Sequence, residues 1–338
     1  MHAFAENNLT VGAPLRLGVL GCAAVAAKRV LPALSAIPGI QLVAIGSRIR
    51  AKAEEFAARW GGEPVMGYAE VLARPDVDAV YVPLPAALHA EWVERALRAG
   101  KHVLVEKPMT TGEEHTRALA VLAAARGLVL RENYMFLHHS LHQRVAELVE
   151  KGVIGELRSF SSVFAIPPRP PEDIRYRPGL GGGALHDVAG YPIRAAQHFL
   201  GPELTAVGAG LRVDPELGVD LSGGALLLRP DGVTAHVTFG LEHHYSSAYE
   251  LLGSLGRISV DHVFTPPPGH RPTVRIDRQD HTECLSLEPD DQFANTLTAF
   301  AHAVRTGAPP EQASTHQARL VDQVRALATT RAEQGSRR

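Results

Sequence analysis

The sequence is poor in cysteine, in long apolar runs and in excess charge. Only two cysteines occur among 338 residues, Cys22 and Cys284, and no pairing pattern connects them, which is typical of a reducing cytoplasm, where we expect the protein to act. No run of about 18 apolar residues is present, so we predict no membrane span. A net charge of -2 argues against general nucleic-acid binding.

The length and composition indicate an ordinary globular protein with two domains. The chain is too long for a single typical core, and 45% hydrophobic with 21% charged residues is the usual balance of a folded protein. The first residues lack the basic start and the long apolar core of a signal peptide. We therefore expect residues 1–13 to form a flexible leader.

The first motif is a strand, a tight turn of small residues and a helix. A strand is predicted over 15–20 and a helix follows to about residue 35. Such a turn holds a pyrophosphate on its backbone amides and on the helix N-terminus. Aligned with Gly-x-Gly-x-x-Gly/Ala, it has Ala23 at the second glycine, and the alternative is a tight turn without a ligand. The predicted cofactor contacts here are Gly21, Cys22, Ala23, Ala24, Val25 and Ala26.

The end of the second predicted strand, 41–46, indicates which dinucleotide binds. A site that prefers NAD places an acid here for the ribose 2′-hydroxyl, but the next acid is Glu54, inside the following helix. Arg48 offers a planar fork for a 2′-phosphate, and Ser47 and Lys52 can assist it. We therefore predict NADP(H) rather than NAD(H). A solvated arginine at a helix start is the alternative.

The alternation of strands and helices continues to residue 131 and predicts a doubly wound parallel sheet. The apolar strand that ends in Glu106-Lys107-Pro108 places Lys107 at the carboxyl edge of the sheet, where ligands bind. The alternative for Lys107 is an ordinary solvated lysine at a strand end. The alternative for His89, which follows the preceding strand, is a surface position on a helix. The further cofactor contacts predicted on this half are Tyr68, Leu84, Pro85, His89, Glu106 and Lys107.

The pattern changes after Glu132, where strands begin to dominate. We predict an NADP-binding domain over 14–132 and an α+β domain over 133–338 that binds substrate and carries a large, mainly antiparallel open sheet. Asp231-Gly232 is a hairpin turn signal. Few predicted helices cover one face of this sheet, so we also expect a homo-oligomer, a dimer or a tetramer.

The second half supplies two further polar groups, Asp187 and Tyr191, just after a triple glycine at 181–183. They are four residues apart at a predicted helix start, so we expect them to share a face. Ketone reduction needs an acid that protonates the carbonyl oxygen as hydride adds to the carbon. Lys107 or Tyr191 can be that acid, and Asp187 can hold either one. The alternatives are a helix-dipole role for Asp187 and plain packing for Tyr191.

Taken together, these motifs resemble the Gfo/Idh/MocA oxidoreductases. The resemblance rests on Gly-Cys-Ala-Ala-Val-Ala, Ser-Arg, Glu-Lys-Pro and Gly-Gly-Gly-Ala-Leu-x-Asp-Val-x-x-Tyr-Pro, and it spans about 15–307. It implies a Rossmann domain, a nicotinamide cofactor and a catalytic lysine at Lys107. Many members have histidine where this chain has Tyr191. The segments 132–140 and 166–178 are most similar to NDP-hexose 3-ketoreductases of deoxysugar biosynthesis in actinobacteria.

That similarity implies reduction by NADPH of the C-3 ketone of a dTDP-linked 3,4-diketo-2,6-dideoxyhexose. The alternatives are an NADP-dependent dehydrogenase of a free sugar, inositol or dihydrodiol, and a non-catalytic NADP(H)-binding protein. A diphosphate needs cationic forks, which Arg169, Arg175 and Arg177 can supply, although Arg175 can instead reach the cofactor. The predicted sugar or base contacts are Tyr134, Phe136, Phe164, Tyr176, Arg177, Tyr191, Tyr245 and Thr265, with core packing as the alternative for the aromatic residues.

Histidines cluster twice along the chain. His138, His139 and His142 form one group, and His243 and His244 form the other. No acid or cysteine nearby completes a plausible set of ligands. We therefore expect no metal, which hydride reduction of a ketone does not need.

Overall fold

The first half of the chain forms a six-stranded parallel sheet in the order β3-β2-β1-β4-β5-β6. A computed structural model describes residues 13–335, so the predicted leader lies almost wholly outside the described residues. The order confirms the predicted doubly wound sheet. The strands are β1 (Leu15–Leu20), β2 (Ile40–Ser47), β3 (Glu63–Met66), β4 (Ala79–Val82), β5 (His102–Glu106) and β6 (Leu130–Asn133).

Helices connect these strands and cover both faces of the sheet. The first begins with a π-helical turn, Ala26–Val30, and a 3₁₀ turn over Ala86–Leu88 precedes the fourth. Glu113 and Glu114 lie in the first turn of the fifth helix, where negative charge favours the helix dipole. The helices are α1 (Leu31–Leu34), α2 (Arg50–Trp60), α3 (Tyr68–Leu72), α4 (His89–Arg98) and α5 (Glu113–Ala125).

The second half forms an eight-stranded sheet in the order β14-β13-β12-β11-β7-β10-β9-β8. All its pairs are antiparallel except β7 with β10, which confirms a mainly antiparallel sheet. Gly232, at a φ of 95°, turns the chain between β9 and β10 as predicted. The strands are β7 (Leu157–Ala165), β8 (Thr205–Asp214), β9 (Val219–Leu228), β10 (Thr234–Gly240), β11 (Ser246–Gly253), β12 (Gly256–Asp261), β13 (Thr273–Arg278) and β14 (Thr282–Ser286).

The helices of the second half join the two sheets. The last helix packs against β8 of the second sheet and also against α5 and α8. Asp322 on that helix accepts the Glu113 amide at 2.8 Å, which caps α5 from the far end of the chain. The helices are α6 (Ser140–Glu150), α7 (Ala184–Asp187), α8 (Gly190–Leu200), α9 (Gln292–Thr306) and α10 (Gln312–Gly335), with 3₁₀ turns at Met135–His138, Ile174–Tyr176 and Pro178–Leu180.

Glycines allow the close packing within the first sheet. A Cβ at Gly18 or at Gly46 would approach Val71 to 2.8 Å, so α3 lies directly against β1 and β2.

Along the part of the chain that the structure describes, we find no helix both long and apolar enough to cross a membrane.

Candidate active site

Lys107 lies at the carboxyl end of β5 and reaches across to the second half of the chain. Its ammonium donates to Asp187 Oδ1 at 2.8 Å and to the Asp187 backbone oxygen at 2.7 Å. The two side chains are only 13% and 17% exposed, so this ion pair is largely shielded from water. The peptide bond that follows, Lys107–Pro108, is cis. The first sheet and α7 therefore share one polar centre.

The hydrogen bond from Lys107 to the Asp187 backbone oxygen is possible because the helix that carries Asp187 is interrupted. We predicted one helix carrying Asp187 and Tyr191 on a shared face, and this prediction is wrong. Helix α7 ends at Asp187, and α8 begins at Gly190. The Tyr191 amide bonds to the Val188 oxygen, so the Asp187 oxygen is left for Lys107. The interruption converts a backbone carbonyl, normally used inside a helix, into an acceptor for the ammonium.

Asp187 is shared between two cations. Its second oxygen accepts from Arg175 Nε at 2.5 Å, and Arg175 also contacts Asp173 Oδ1 at 3.1 Å. Burial alone would raise the pKa of Asp187, but the charges of Lys107 and Arg175 outweigh it and hold this pKa well below its usual range. The carboxylate is therefore ionised at neutral pH and fixes the direction of the Lys107 side chain.

Tyr191 places its ring beneath the Lys107 ammonium. The distance from Nζ to the ring centroid is 5.3 Å, which is a cation–π contact. Its hydroxyl contacts only a weak acceptor, Met135 Sδ, at 3.8 Å. Burial, and then the nearby Glu106 and Asp187 carboxylates, raise the pKa of Tyr191 well above its usual range. The phenol thus keeps its proton at neutral pH, and no strong acceptor in the described chain takes it.

Glu106 immediately precedes Lys107 at the end of β5 and is held by the neighbouring strands. Its Oε1 accepts from Tyr81 at 2.7 Å and from Asn133 at 2.6 Å. Burial raises the pKa of Glu106, while these two hydrogen bonds oppose that rise. One carboxylate oxygen of Glu106, a predicted cofactor contact, is therefore already hydrogen-bonded to residues of the neighbouring strands.

The triple glycine packs against the turn that carries Arg175. The Gly183 amide donates to the Arg175 oxygen at 2.8 Å, and the Gly182 amide donates to the Arg177 oxygen at 3.0 Å. A Cβ at Gly182 would approach the Arg175 oxygen to 2.5 Å, so no side chain fits there. The glycines therefore set the approach of Arg175 to Asp187.

The predicted dinucleotide turn lies beside the end of β4. Gly21 has a φ of 118°, and a Cβ there would meet Leu84 Cδ2 at 2.9 Å. The Cys22 thiol lies 3.5 Å from the Lys52 backbone oxygen, which brings this turn to the start of α2. Ala23 and Val25 are half-buried, Ala24 is exposed and Ala26 is buried. The turn therefore has the open backbone and the free helix N-terminus that a pyrophosphate requires, and these residues fit the NADP that the sequence implies.

The predicted 2′-phosphate contacts lie at the end of β2. Arg48 and Lys52 are exposed, and the buried Ser47 hydroxyl accepts from the Ile49 amide at 3.1 Å. Glu54 pairs with Arg50 at 2.9 Å, so it does not take the place of the missing acid. Further along this edge, Pro85 is half-buried and Tyr68 is buried edge-on against Trp92.

His89 is not available to a cofactor, in contrast to our prediction. It is buried, with Nδ1 2.7 Å from the Pro108 oxygen and Nε2 2.7 Å from the Leu84 oxygen. Both ring nitrogens face backbone carbonyl oxygens; burial lowers the pKa of the ring, and these two contacts oppose that fall. His89 instead ties the end of β4 to the turn after Lys107.

Two of the predicted substrate aromatics belong to the core, and the interpretation of Tyr134 as a substrate contact is corrected. Tyr134 is 2% exposed, and its hydroxyl accepts from Gln317 at 2.7 Å. Phe136 is fully buried between Tyr134 and Phe264. Phe164 is also buried, but its ring packs 4.7 Å from that of Tyr191, so it supports the site from behind.

Other predicted substrate residues are more open. Tyr245 and Thr265 are half-buried and share a hydrogen bond of 3.0 Å, and Tyr245 packs on Phe164. Arg177 and Arg169 are exposed on the loop that carries Arg175. Tyr176 is buried in that loop, and its hydroxyl accepts the Arg169 amide at 3.0 Å.

Two of the clustered histidines, His139 and His142, are buried in the second half of the chain. His142 is buried, close to the Tyr249 hydroxyl and to the Val263 oxygen, both at 3.1 Å. His139 is also buried, while His138, His243 and His244 are exposed. Over residues 13–335 no group of three or more His, Cys, Asp or Glu side chains could hold a metal ion.

Several residues that shape the site were not predicted from the sequence. Tyr81 and Asn133 hold Glu106, Met135 meets the Tyr191 hydroxyl, and Gln317 donates to the Gly190 oxygen at 2.8 Å. Gln317 is more than a hundred residues from Gly190, so no local pattern could reveal this contact. Asn133 at the end of β6 was the one signal available, since it lies on the same sheet edge as Glu106.

This arrangement defines a two-part oxidoreductase, with a dinucleotide sheet and an acid–base centre supplied from both halves. The family model for the oxidoreductase family with an NAD-binding Rossmann fold matches residues 15–134, and the GFO/IDH/MocA C-terminal domain matches 142–259. The chain belongs to the GFO/IDH/MocA oxidoreductase family.

Curated relatives and a solved structure are similar over most of the chain. A dTDP-3,4-didehydro-2,6-dideoxy-alpha-D-glucose 3-reductase of Actinomadura kijaniata is 54% identical, covering 92% of this chain and 95% of its own. One of the same name from Saccharopolyspora spinosa is 53% identical over 87% and 89% of the two chains. The crystal structure of KijD10, a 3-ketoreductase from A. kijaniata in complex with NADP and TDP-benzene, has a TM-score of 0.91 at 54% identity, covering 93% and 97%.

Proposed function

We propose that this protein uses NADPH to reduce the C-3 ketone of a dTDP-linked 3,4-diketo-2,6-dideoxyhexose in deoxysugar biosynthesis. The observation that carries the proposal is the Lys107–Asp187 pair, which the two halves of the chain form above the Tyr191 ring. The names of the similar 3-reductases supply the substrate class. The chain is an NADP-dependent oxidoreductase.

The reaction is balanced by one hydride and one proton. When bound, the reduced nicotinamide supplies the hydride to C-3, and the ketone oxygen takes the proton to become a hydroxyl group. Lys107 has three ammonium protons, of which Asp187 accepts two, one at Oδ1 and one at its backbone oxygen. The third proton is available to the ketone oxygen, where positive charge stabilises the developing oxyanion.

Tyr191 is the second candidate for the proton donor. Its phenol is protonated at neutral pH, and its hydroxyl makes only the weak contact with Met135. In our proposal Tyr191 either donates the proton directly or orients the ketone while Lys107 donates. Asp187 positions Lys107, and Arg175 positions Asp187 from the other side.

The two halves of the chain have separate roles in this proposal. Residues 14–132 bind NADP, with Arg48, Ser47 and Lys52 around the 2′-phosphate. Residues 133–338 bind the sugar nucleotide through Tyr245, Thr265 and Arg177. Large hydrophobic side chains are exposed on the second half, among them Val207, Val213, Leu252 and Leu255, as expected if this half forms a homo-oligomer. In this proposal the protein works in the cytoplasm.

The test is an assay of NADPH oxidation with the dTDP-linked 3,4-diketo-2,6-dideoxyhexose, followed by identification of the product. We expect a C-3 alcohol that retains dTDP, and we expect dTDP alone to raise the melting temperature. Turnover of a free sugar, inositol or dihydrodiol without any effect of dTDP would favour the alternative dehydrogenase. Binding of NADPH without turnover of either class would favour a non-catalytic protein.

A further inference from the structure

A small cavity lies beside the candidate active site, next to Pro108 and Gly190. It measures about 20 Å³, enough for about one water molecule. Its walls come from the turn after Lys107, from β6, from the segment around Gly190 and from α10. Its polar lining includes Glu132, Ser314 and Gln317, each of which is at least nine-tenths buried.

Each of these three side chains has one buried oxygen without a partner in the described chain. They are Glu132 Oε2, Ser314 Oγ and Gln317 Oε1. Buried polar atoms of this kind are nearly always hydrogen-bonded in native proteins, either to protein or to ordered water. Burial raises the pKa of Glu132, and the nearby Arg194 charge opposes that rise. One water molecule in the cavity could supply the hydrogen-bond partners that these oxygens lack.

The other polar atoms of Glu132 and Gln317 form hydrogen bonds to the backbone close to Lys107 and to Tyr191. Glu132 Oε1 accepts the Met109 amide at 2.7 Å, two residues beyond Lys107. Gln317 Nε2 donates to the Gly190 oxygen at 2.8 Å, one residue before Tyr191. A Cβ at Gly190 would approach the Tyr134 hydroxyl to 2.0 Å, so the backbone is tightly fixed at this point.

We propose that Glu132 and Gln317 are positioning residues for Lys107 and Tyr191. One water molecule in the cavity would bridge the Glu132 and Gln317 side chains. The water would donate to Glu132 Oε2 and Gln317 Oε1 and accept from Ser314. This arrangement satisfies all three unpartnered oxygens at once. A metal cation fits less well, because the Arg194 guanidinium, 4.0 Å from Glu132 Oε2, already faces that carboxylate.

In this proposal α10 helps to set the separation of Lys107 and Tyr191, although it supplies no group that contacts the substrate. The reacting groups come from different halves of the chain, so their separation depends on what joins those halves. A shift of about 1 Å in such a pair can cost about a hundredfold in rate. The inference rests on the proposed function, because its readout is turnover of the dTDP-linked ketone.

The test compares Gln317→Leu with Gln323→Leu, a matched change on the same helix. Gln323 accepts the Ala206 amide at 3.0 Å and ties α10 to β8, away from the site. We expect Gln317→Leu to lower kcat by about 10- to 100-fold, with KM for NADPH and for the sugar nucleotide changed less than about threefold. Gln323→Leu should lose similar thermal stability but keep kcat within about twofold of wild type.

Unchanged kcat in Gln317→Leu, or an equal loss in both variants, would overturn the positioning role. If Gln317→Leu does not fold, Glu132→Gln and Glu132→Leu replace it. The glutamine keeps an oxygen for the Met109 amide and should retain much more activity than the leucine, whereas equal activities would overturn the proposal. A wild-type enzyme inactive on the dTDP-linked ketone would instead refute the proposed function.

A high-resolution crystal structure tests the ligand itself. We expect one density peak at about 2.7–3.0 Å from Glu132 Oε2 and Gln317 Oε1. A peak at about 2.3–2.5 Å from several oxygens would identify a cation and overturn the assignment of water, as would a cavity without any density.

Discussion

Replacement of Asp187 by asparagine tests the charged centre of the site. The asparagine keeps the shape and one oxygen, but it removes the negative charge between Lys107 and Arg175, which donate at 2.8 Å and 2.5 Å. Breaking a buried ion pair from one side costs about 3–5 kcal/mol. Asp173 still faces Arg175 at 3.1 Å, so we expect the lower end, about 3 kcal/mol of unfolding free energy at neutral pH.

The pH dependence of that loss has a definite sign. The folded pKa of Asp187 is held below its unfolded value, so its stabilising effect is complete above the unfolded value of about 4 and is lost as the pH falls further. The stability difference between wild type and Asp187→Asn should therefore be largest near neutral pH and shrink below about pH 4. Urea unfolding between about pH 7 and pH 3 measures it. Equal stability at pH 7, or a difference that grows on acidification, would refute the reasoning.

Three further predictions concern the cofactor, the phenol and the substrate. Arg48→Ala should raise KM for NADPH by about tenfold or more and leave KM for NADH nearly unchanged; Arg50→Ala is the control, and equal shifts for both cofactors would exclude a 2′-phosphate contact. Tyr191→Phe should lower kcat while unfolding free energy changes by less than about 1 kcal/mol, because the hydroxyl meets only Met135; full activity would remove Tyr191 from proton transfer. Tyr245→Phe should raise KM for the sugar nucleotide more than KM for NADPH, and the reverse pattern would place Tyr245 elsewhere.

The first half of the chain was the more predictable half. Strands β1, β4 and β5 are short, mainly apolar runs that are followed by Gly, Pro or a charged residue, and β5 runs into Glu106 and Lys107 as predicted. Once the strand order is a doubly wound one, the carboxyl edge of the sheet follows, and so does the place of Lys107. Local pattern and topology agree there, so little remained for tertiary contacts to decide.

The helix interruption after Asp187 has one local signal, Pro192, which has no amide hydrogen to donate to the Val188 oxygen. Val188 and Ala189 are themselves compatible with a continuing helix, so the sequence does not give the exact place of the break. The interruption is supported by distant contacts, since Gln317 holds the Gly190 oxygen and Tyr134 packs against that glycine. Tertiary contacts therefore outweighed the local helical preference.

Burial of individual aromatic and histidine side chains was also beyond the sequence. Tyr134 and Tyr245 are the same residue type, yet one is a core hydrogen-bond acceptor of α10 and the other is half-exposed beside Thr265. His89 carries no local sign that both its ring nitrogens face backbone oxygens. Such fates depend on which elements pack together, and the 3.6-residue period does not contain that information.

The central claim is that Lys107 acts on the ketone oxygen, and Lys107→Met tests it most directly. The measurement is kcat for NADPH oxidation at saturating dTDP-linked 3-keto sugar, with NADPH binding followed separately and the exposed Lys151→Met as control. We expect a loss of about 100- to 10,000-fold in kcat, with NADPH still bound and the control unchanged. A Lys107→Met enzyme that turns over at the wild-type rate would contradict it.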